Sequence, residues 1–308
     1  MRRSNRLFAS CAVGLGALAL APAAAYANTD VSYPNFSNTN GLTFAGSTAT
    51  ANTSDGTVLR IVNNNPNGFE SGAAYSTTAV GLGAGDTFST TFQFRFTNPG
   101  GIDPADGITF VLAQSPTGLG GNGFGLGYAG VNNSVAIEFD TYNNGDNSSN
   151  DDQNSSNHVA VDVNGALSNL DLTSPDGVAT CDFSQSNNFS AHGCMSNGDL
   201  WTVAISYDNG ALTVKMADGN DPLTPVINGY QIDLAGDLGA SSAFVGFTGS
   251  TGEGFEDEDI KSWSFTDTQA LANGGGVPEP ASWALMLLGF GGLGTVLRSR
   301  RRTAAAAA

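Results

Sequence analysis

The sequence predicts an all-β domain, a jelly-roll sandwich of two antiparallel sheets. Three observations lead there. Short runs of alternating hydrophobic residues recur between roughly Asn28 and Ala272, the period of a half-buried strand. Gly, Asn, Asp, Ser and Thr separate them, Gly alone supplying 41 of 308 residues, and these are turn-forming types. No stretch of that region repeats apolar residues at helical spacing, and charged residues make up only 13% of the chain. That excludes a coiled coil or helical bundle. Hydrophobic residues at 40%, with 18 Phe, exclude a wholly disordered chain. No fixed-period repeat is visible, which disfavours a propeller or solenoid.

Taken in order, the chain opens with an address. Residues 1–27 run from Arg2, Arg3 and Arg6 through an apolar stretch to Leu20 and end on Ala25-Tyr26-Ala27. This is the form of a secretory signal with an A-x-A cleavage site. The apolar run is short for an anchoring helix, and Cys11 would leave with the signal. Strands follow within residues 28–272. Phe88, Phe92, Phe94 and Phe96 share parity, as do Val159, Val161 and Val163, and Trp201, Val203, Ile205 and Tyr207. Asp208-Asn209-Gly210 is a hairpin signal before Leu212, Val214 and Met216. Ile108–Leu112, Val135–Phe139 and Ala243–Phe247 are further strands, about a dozen in all. Cys181 and Cys194 remain in an exported chain, and one disulfide closing an exposed loop is the natural reading. A metal pair is the weaker one, because His192 alone completes no ligand set with them.

The far end is a second address. A glycine linker (273–276) precedes Val277-Pro278-Glu279-Pro280-Ala281-Ser282-Trp283. Residues 281–297 carry no charge, and Arg298, Arg300, Arg301 and Arg302 close the run (298–302). The segment 277–308 resembles the PEP-CTERM sorting signal of Gram-negative bacteria. The resemblance implies transient membrane anchoring, removal by an exosortase-type enzyme, and release to the cell surface or extracellular matrix.

Between the two addresses four basic residues (Arg60, Arg95, Lys215, Lys261) face 27 acids. Such a surface repels nucleic acid, which needs Lys and Arg to displace counterions. It suits cation binding or simple solubility.

The chemistry concentrates in Val135 to Asn144, the acidic loop after it, and Asn157 to Val163. On a strand Glu138 and Asp140 point to the same face. Two adjacent carboxylates need a cation, a proton or solvent between them. The loop offers Asn144, Asp146, Asp151 and Asp152 as oxygen donors, and His158 offers a nitrogen. Oxygen sets suit Ca²⁺, whereas an imidazole with carboxylates suits Mn²⁺ or a similar ion. The competing reading is a solvated acidic loop with an incidental histidine. The spacing is not that of an EF-hand.

These segments resemble a legume-type (L-type) lectin. Ala105-Asp106-Gly107 and the strand after it, Val135 to Asn144, His158 to Asn164, Val245 to Gly252, and Ile260 to Phe265 stand in the family's order. The resemblance implies a concanavalin-like sandwich and assigns roles. Glu138, Asp140 and His158 match the transition-metal ligands. Asp140 also bridges to Ca²⁺, with the Tyr142 carbonyl and the Asn144 side chain. One further bridging Asp belongs before the histidine; Asp152 is chosen, with Asp151 close behind, in a loop longer than that of the plant proteins. For the sugar, Asp106 matches the acceptor, after an Ala–Asp peptide that is cis in the family. Asn144 matches the amide and Tyr142 the stacking ring, and Gly121 and Gly123 are the glycines whose N–H groups could donate. The loop from Gly249 to Glu258 is expected to set specificity, and Glu256–Asp259 to form a solvated edge. The implied ligands are glycans or exopolysaccharide.

Gly118, Gly120 and Gly123 spell G-x-G-x-x-G, but no helix or βαβ unit follows, so no nucleotide loop is expected. A glycoside hydrolase on the same fold is the enzymatic rival. It needs two carboxylic acids across the scissile bond, and Glu138-Phe-Asp140-Thr-Tyr142 is followed by Asn143, not Glu. The reading is therefore of a protein that is not an enzyme. A structural matrix protein without sugar binding is the other rival.

Overall fold

The structure, a computed structural model, describes residues 26–270 apart from 83–84, 148–149 and 186–187. In chain order its strands are β1 (Tyr26–Tyr33), β2 (Leu42–Gly46), β3 (Ala49–Thr53), β4 (Gly56–Val62), β5 (Ser71–Ser76), β6 (Val80–Gly81), β7 (Thr87–Gly101), β8 (Gly107–Ala113), β9 (Ser134–Asp140), β10 (Asp146–Asn147), β11 (Asn150–Asp151), β12 (His158–Val163), β13 (Ala166–Thr173), β14 (Trp201–Asp208), β15 (Ala211–Ala217), β16 (Thr224–Gln231), β17 (Ser242–Ser250) and β18 (Gly254–Ala270). One sheet runs β16-β15-β14-β7-β18-β4-β3, with β1 also on β18. The other runs β13-β12-β9-β8-β17-β5-β2, with β6 also on β17. The pairings are antiparallel, as the sandwich reading requires.

The parity read in the sequence holds. Phe88, Phe92, Phe94 and Phe96 of β7 are buried while their neighbours are more exposed. Phe92 meets the other sheet directly, 5.0 Å between ring centroids from Phe247, 5.7 Å from Phe139 and 6.1 Å from Phe110. This aromatic layer between the sheets is the main core. Full burial of one such ring contributes about 1.5–3 kcal/mol. The β14–β15 hairpin closes through Asn209 at φ 50° and Gly210 at φ 83°, the left-handed pair that a two-residue turn demands.

Strands β8 and β9 are buried at every residue. Their inner faces enter the main core. Their outer faces lie under the segment from Gly118 to Val131, in a second apolar cluster of Val111, Ala113, Leu126, Tyr128, Val131 and Ala136. A strand covered on both sides reads as a continuous apolar run. The outer face of β9 therefore passes from Ala136 to Glu138 to Asp140, apolar to acidic, without leaving the interior.

Eighteen strands stand among the described residues where about a dozen were expected. The surplus includes β6, β10 and β11, of two residues each, too short for alternation to show. One helical turn, α1 (Leu234–Leu238), was not foreseen for the same reason. Asp233 caps it by accepting from the Gly236 N–H at 3.0 Å. Cys181 and Cys194 form a disulfide, Cα atoms 5.7 Å apart. Both cysteines are buried, while the described residues of the loop they close are, apart from Gly193, half-buried or exposed. The expected signal, apart from Tyr26 and Ala27 in β1, lies outside the described residues, as do the linker and the sorting segment. Among the described residues no helix is long and apolar enough to cross a membrane.

The disulfide closes a 13-residue separation. Replacing both cysteines with Ser should lower stability by about 2–3 kcal/mol in urea unfolding. An unchanged midpoint would show that the covalent link adds nothing.

Candidate functional site

Strands β9 and β12 pair so that Asp140 faces His158 and Glu138 faces Ala160. Period two then places Glu138, Asp140, His158 and Asp162 on one face. Ligand atoms of Glu138, Asp140 and His158 all lie within 4.8 Å of one another. His158 Nε2 is 3.4 Å from Glu138 Oε1. None of the three residues is more than 2% exposed.

The acidic loop covers this face. The Tyr142 N–H donates to Asp140 Oδ1 at 2.7 Å, and the Asn144 N–H donates to the Asp152 carboxylate. Asp152 is buried and also accepts from Asn169 Nδ2. Asp151 lies in β11 opposite Asp146. The Asp152 carboxylate lies near enough to act electrostatically on both Glu138 and Asp140.

The donor set fits a cation. Glu138 Oε1, both His158 nitrogens and Asn144 Oδ1 are buried without a hydrogen-bond partner. Burial pushes Glu138 up to about 7 and Asp140 well above the carboxylate range. Buried, unpartnered carboxylates beside an unpartnered imidazole are what a divalent ion satisfies. The solvated-loop reading does not describe these side chains.

Asp162 was missed as a site residue. It is fully buried, accepts from the Ser168 and Asn169 N–H groups, and turns its other oxygen toward Glu138. The available signal was an Asp at His158 parity in an otherwise apolar strand.

Beside the cluster opens a cleft of about 290 Å³ whose lining includes Asp106, Asn122, Gly123, Tyr142 and Asn144. The Ala105–Asp106 peptide is cis. Asp106 is pinned on both sides, donating from its N–H to the Ser250 carbonyl and accepting at its own carbonyl from the Thr141 N–H. Its Oδ2 is buried without a partner, and burial pushes the carboxyl up to about 8. Phe69 and Phe124, 59% and 48% exposed, flank the cleft. Gly252 keeps it open, since a Cβ there would lie 3.3 Å from Asp106 Oδ2.

Gly123 lines the cleft and Gly121 does not. Their N–H groups donate to the carbonyls of Thr251 and Ala129 respectively. Asn122, between them, faces the cleft and its side chain donates to the Phe69 carbonyl. A larger groove of about 800 Å³ runs along Val31 to Gly41 and Ser76 to Thr78, but no carboxylate, imidazole or cation lines it.

The run Glu256–Asp259 corrects the sequence reading. It is no solvated edge: all four residues are at most 5% exposed. Strand β18 lies between β7 and β4 in mid-sheet. Asp257 and Asp259 turn to one face, where Arg60 of β4 pairs with both, at 2.9 and 2.7 Å. Glu256 and Glu258 turn toward the second sheet. Glu256 accepts from the Thr141 and Ser196 hydroxyls, and Glu258 from the Gly107 N–H at 2.9 Å. Room for Glu258 comes from Gly249, where a Cβ would stand 2.4 Å from Glu258 Oε2.

The family model of the legume lectin domain matches residues 28–276. The chain belongs to the legume lectin family. A second model, the PEP-CTERM protein-sorting motif, matches residues 276–302. This legume lectin domain is 32% identical over 205 residues to an L-type lectin-domain containing receptor kinase of Arabidopsis thaliana, covering 63% of this chain and 26% of that protein. It is 28% identical over 213 residues to a lectin of Leucomphalos mildbraedii, covering 65% and 79%. To a galactose-binding lectin of Arachis hypogaea it is 32% identical over 190 residues, covering 59% and 60%. The chain thus spans about a quarter of the kinase and three fifths of the Arachis lectin. Among solved structures, the Lotus tetragonolobus seed lectin superposes with a TM-score of 0.61 at 26% identity, over 78% of this chain and 98% of that one.

Without metal, the buried acids make a pH prediction. Asp106 and Glu256 are held up to about 8 and Glu258 well above its usual range, in each case by burial first. Their unfolded values are near 4, so the folded state binds these protons more tightly. That stability is complete below about pH 4 and is lost as pH rises toward 8 and beyond. The melting temperature of chelator-stripped protein should fall by several degrees between pH 5 and pH 8, and Glu258→Gln should flatten the fall. A melting temperature rising over that range in calorimetry would contradict the assignment.

Proposed function

We propose that this domain is an exported glycan-binding protein whose sugar cleft is organised by Ca²⁺, with Mn²⁺ or a similar ion at Glu138, Asp140 and His158. The observation that carries the reading is Asp106. Its carboxyl is buried with an unpartnered oxygen at an open cleft; burial keeps the metal-free group protonated, and ionised beside bound Ca²⁺ it would be an acceptor awaiting a donor. A pair of sugar hydroxyls supplies it.

Asp140, the Tyr142 carbonyl, Asn144 and Asp152 would hold Ca²⁺. The ion neutralises the buried carboxylates and fixes the Asn144 amide, leaving its NH₂ end to donate to a hydroxyl. The Gly121 and Gly123 N–H groups are already donated to the Ala129 and Thr251 carbonyls, so the sugar-directed N–H of this loop is assigned to Asn122 between them. Tyr142 or Phe124 offers a ring face to the C–H side of a pyranose. Acids line the cleft at Asp106 and Glu253 and no basic residue does, which favours neutral sugar units over uronates. The name of the Arachis relative makes galactose the first sugar to test.

Glu138 lies outside the cleft lining, which argues against its use as a glycosidase nucleophile. The PEP-CTERM segment supports export, brief membrane anchoring, and release to the surface or matrix by an exosortase-type enzyme. Exopolysaccharide is then an accessible ligand, and display of many copies would offset weak single sites.

Asp106→Ala should abolish glycan binding while the fold persists, and Asn144→Ala should weaken both sugar and Ca²⁺. A hydrogen bond to a charged acceptor contributes about 1.5–3 kcal/mol, most of the roughly 4 kcal/mol of a millimolar site. A glycan array with and without chelator, followed by titration of the variants, checks this. Equal binding by wild type and Asp106→Ala would sink the site, and no glycan response at all would favour the matrix reading.

Replacing Pro278-Glu279-Pro280 with Ala should hold the protein in the membrane fraction. An unchanged amount in the medium would remove the sorting proposal.

A further inference from the structure

The sugar cleft has a neighbour on the other side of Tyr142. A second pocket, of about 90 Å³, is lined by Asp103, Tyr142, Asn143, Ser156, Thr180 and Asp182. Two chain segments serve both sites with different residues. Ile102, Ala105 and Asp106 line the cleft while Asp103 lines the pocket, and Asn144 lines the cleft while Asn143 lines the pocket. Tyr142 belongs to both. Burial first, then the charges of Asp103 and Asp106, push its hydroxyl up, so it stands within reach of an acid on either side.

The far wall of the pocket is held in place by the disulfide. Thr180 and Asp182 flank Cys181, which is bonded to Cys194. The Cys181 N–H donates to Ser156 Oγ at 2.8 Å, and the Phe183 N–H donates to Asp103 Oδ1 at 2.6 Å. Asn143 accepts at Oδ1 from the Gly145 N–H, and Thr180 accepts at its carbonyl from Asn188. Asp103 Oδ2, Asn143 Nδ2, Thr180 Oγ1 and the Tyr142 hydroxyl have no hydrogen-bond partner among the described residues. Donors and acceptors thus line the pocket with no basic residue among them. Its volume is that of about three waters, room for the hydroxyl edge of one sugar unit and not for a whole ring.

We propose that this pocket is a second sugar subsite, that the domain recognises a neutral oligosaccharide rather than a single sugar, and that Thr180 and Asp182 determine which one. The proposal rests on the glycan reading of the Asp106 cleft. One unit occupies that cleft. The glycan then crosses the Tyr142 ring, whose negative face attracts C–H groups. The next unit lays its hydroxyls against Asp103, Asn143, Thr180 and Asp182, which offer both donors and acceptors. The two carboxylates accept hydroxyl protons and repel a uronate. The disulfide gains a binding role here. Fixing Cys181 fixes its two neighbours, so little ordering is left to be done when the ligand arrives.

The probe is an array running from single neutral sugars to tetrasaccharides, with uronate-bearing counterparts, read in the presence of Ca²⁺ and Mn²⁺. The strongest oligosaccharide and its terminal monosaccharide are then titrated by calorimetry. The oligosaccharide should bind at least about tenfold tighter, the effect of one added hydrogen bond to a charged acceptor. Thr180→Val combined with Asp182→Ala should remove that advantage while the single sugar binds as before. Cys181→Ser combined with Cys194→Ser, which keeps the pocket side chains but unpins them, should erode it as well. A wild type that binds the single sugar as tightly as every oligosaccharide would overturn the subsite and leave the Asp106 cleft standing. So would a Thr180→Val, Asp182→Ala protein that keeps the wild-type ratio, or a preference for the uronate-bearing counterparts. An array blank at every sugar would overturn the glycan reading of the cleft, and the subsite with it.

Discussion

Negative charge held away from water is the constraint on which the rest of this structure depends. Glu138 and Asp140 cannot turn outward, because Ile137 and Phe139 between them are anchored in the aromatic core. Fixing one face of a strand fixes the other. The effective cost of burying each unpaired ion is several kcal/mol, so the cluster needs protons or a cation. The cleft inherits its shape from that requirement. The residues that satisfy Asp140 and Asp152 from the backbone, Tyr142 and Asn144, also line the cleft.

The same constraint recurs on β18. Glu256 and Glu258 reach across to the second sheet, and Glu258 accepts from Gly107, the residue after Asp106. An acid run that looks suited to solvent thus ties the two sheets together at the mouth of the cleft. Arg60 answers the outward pair, Asp257 and Asp259. One guanidinium with a fork geometry can serve two carboxylates where a lysine would serve one point.

Rigidity and adaptability are divided between sheets and loops. The sandwich holds Asp106, Asp140 and His158 at strand ends, which are precise positions. Phe69, Phe124 and Asn122 come from connections, where residues are freer to vary and specificity is commonly placed. The disulfide loop lies to the side of the cleft and braces Asn157, next to the metal face.

The sequence by itself determined the strands and one face of the site. Period-two alternation in β7, β12 and β14 and the Asn209-Gly210 turn are local properties, written in neighbouring residues. Glu138, Asp140 and His158 were legible for the same reason: two acids at i and i+2 must share a face. Only the tertiary structure decided what depends on distant chain segments meeting. It brought Asp152 up to Glu138 and Asp140, and buried Asp162 against Glu138. It turned Glu256–Asp259 inward by placing β18 between β7 and β4. It also brought the disulfide loop against Asp103. Burial and partnership are pairwise facts across the fold, and no window of sequence contains both partners.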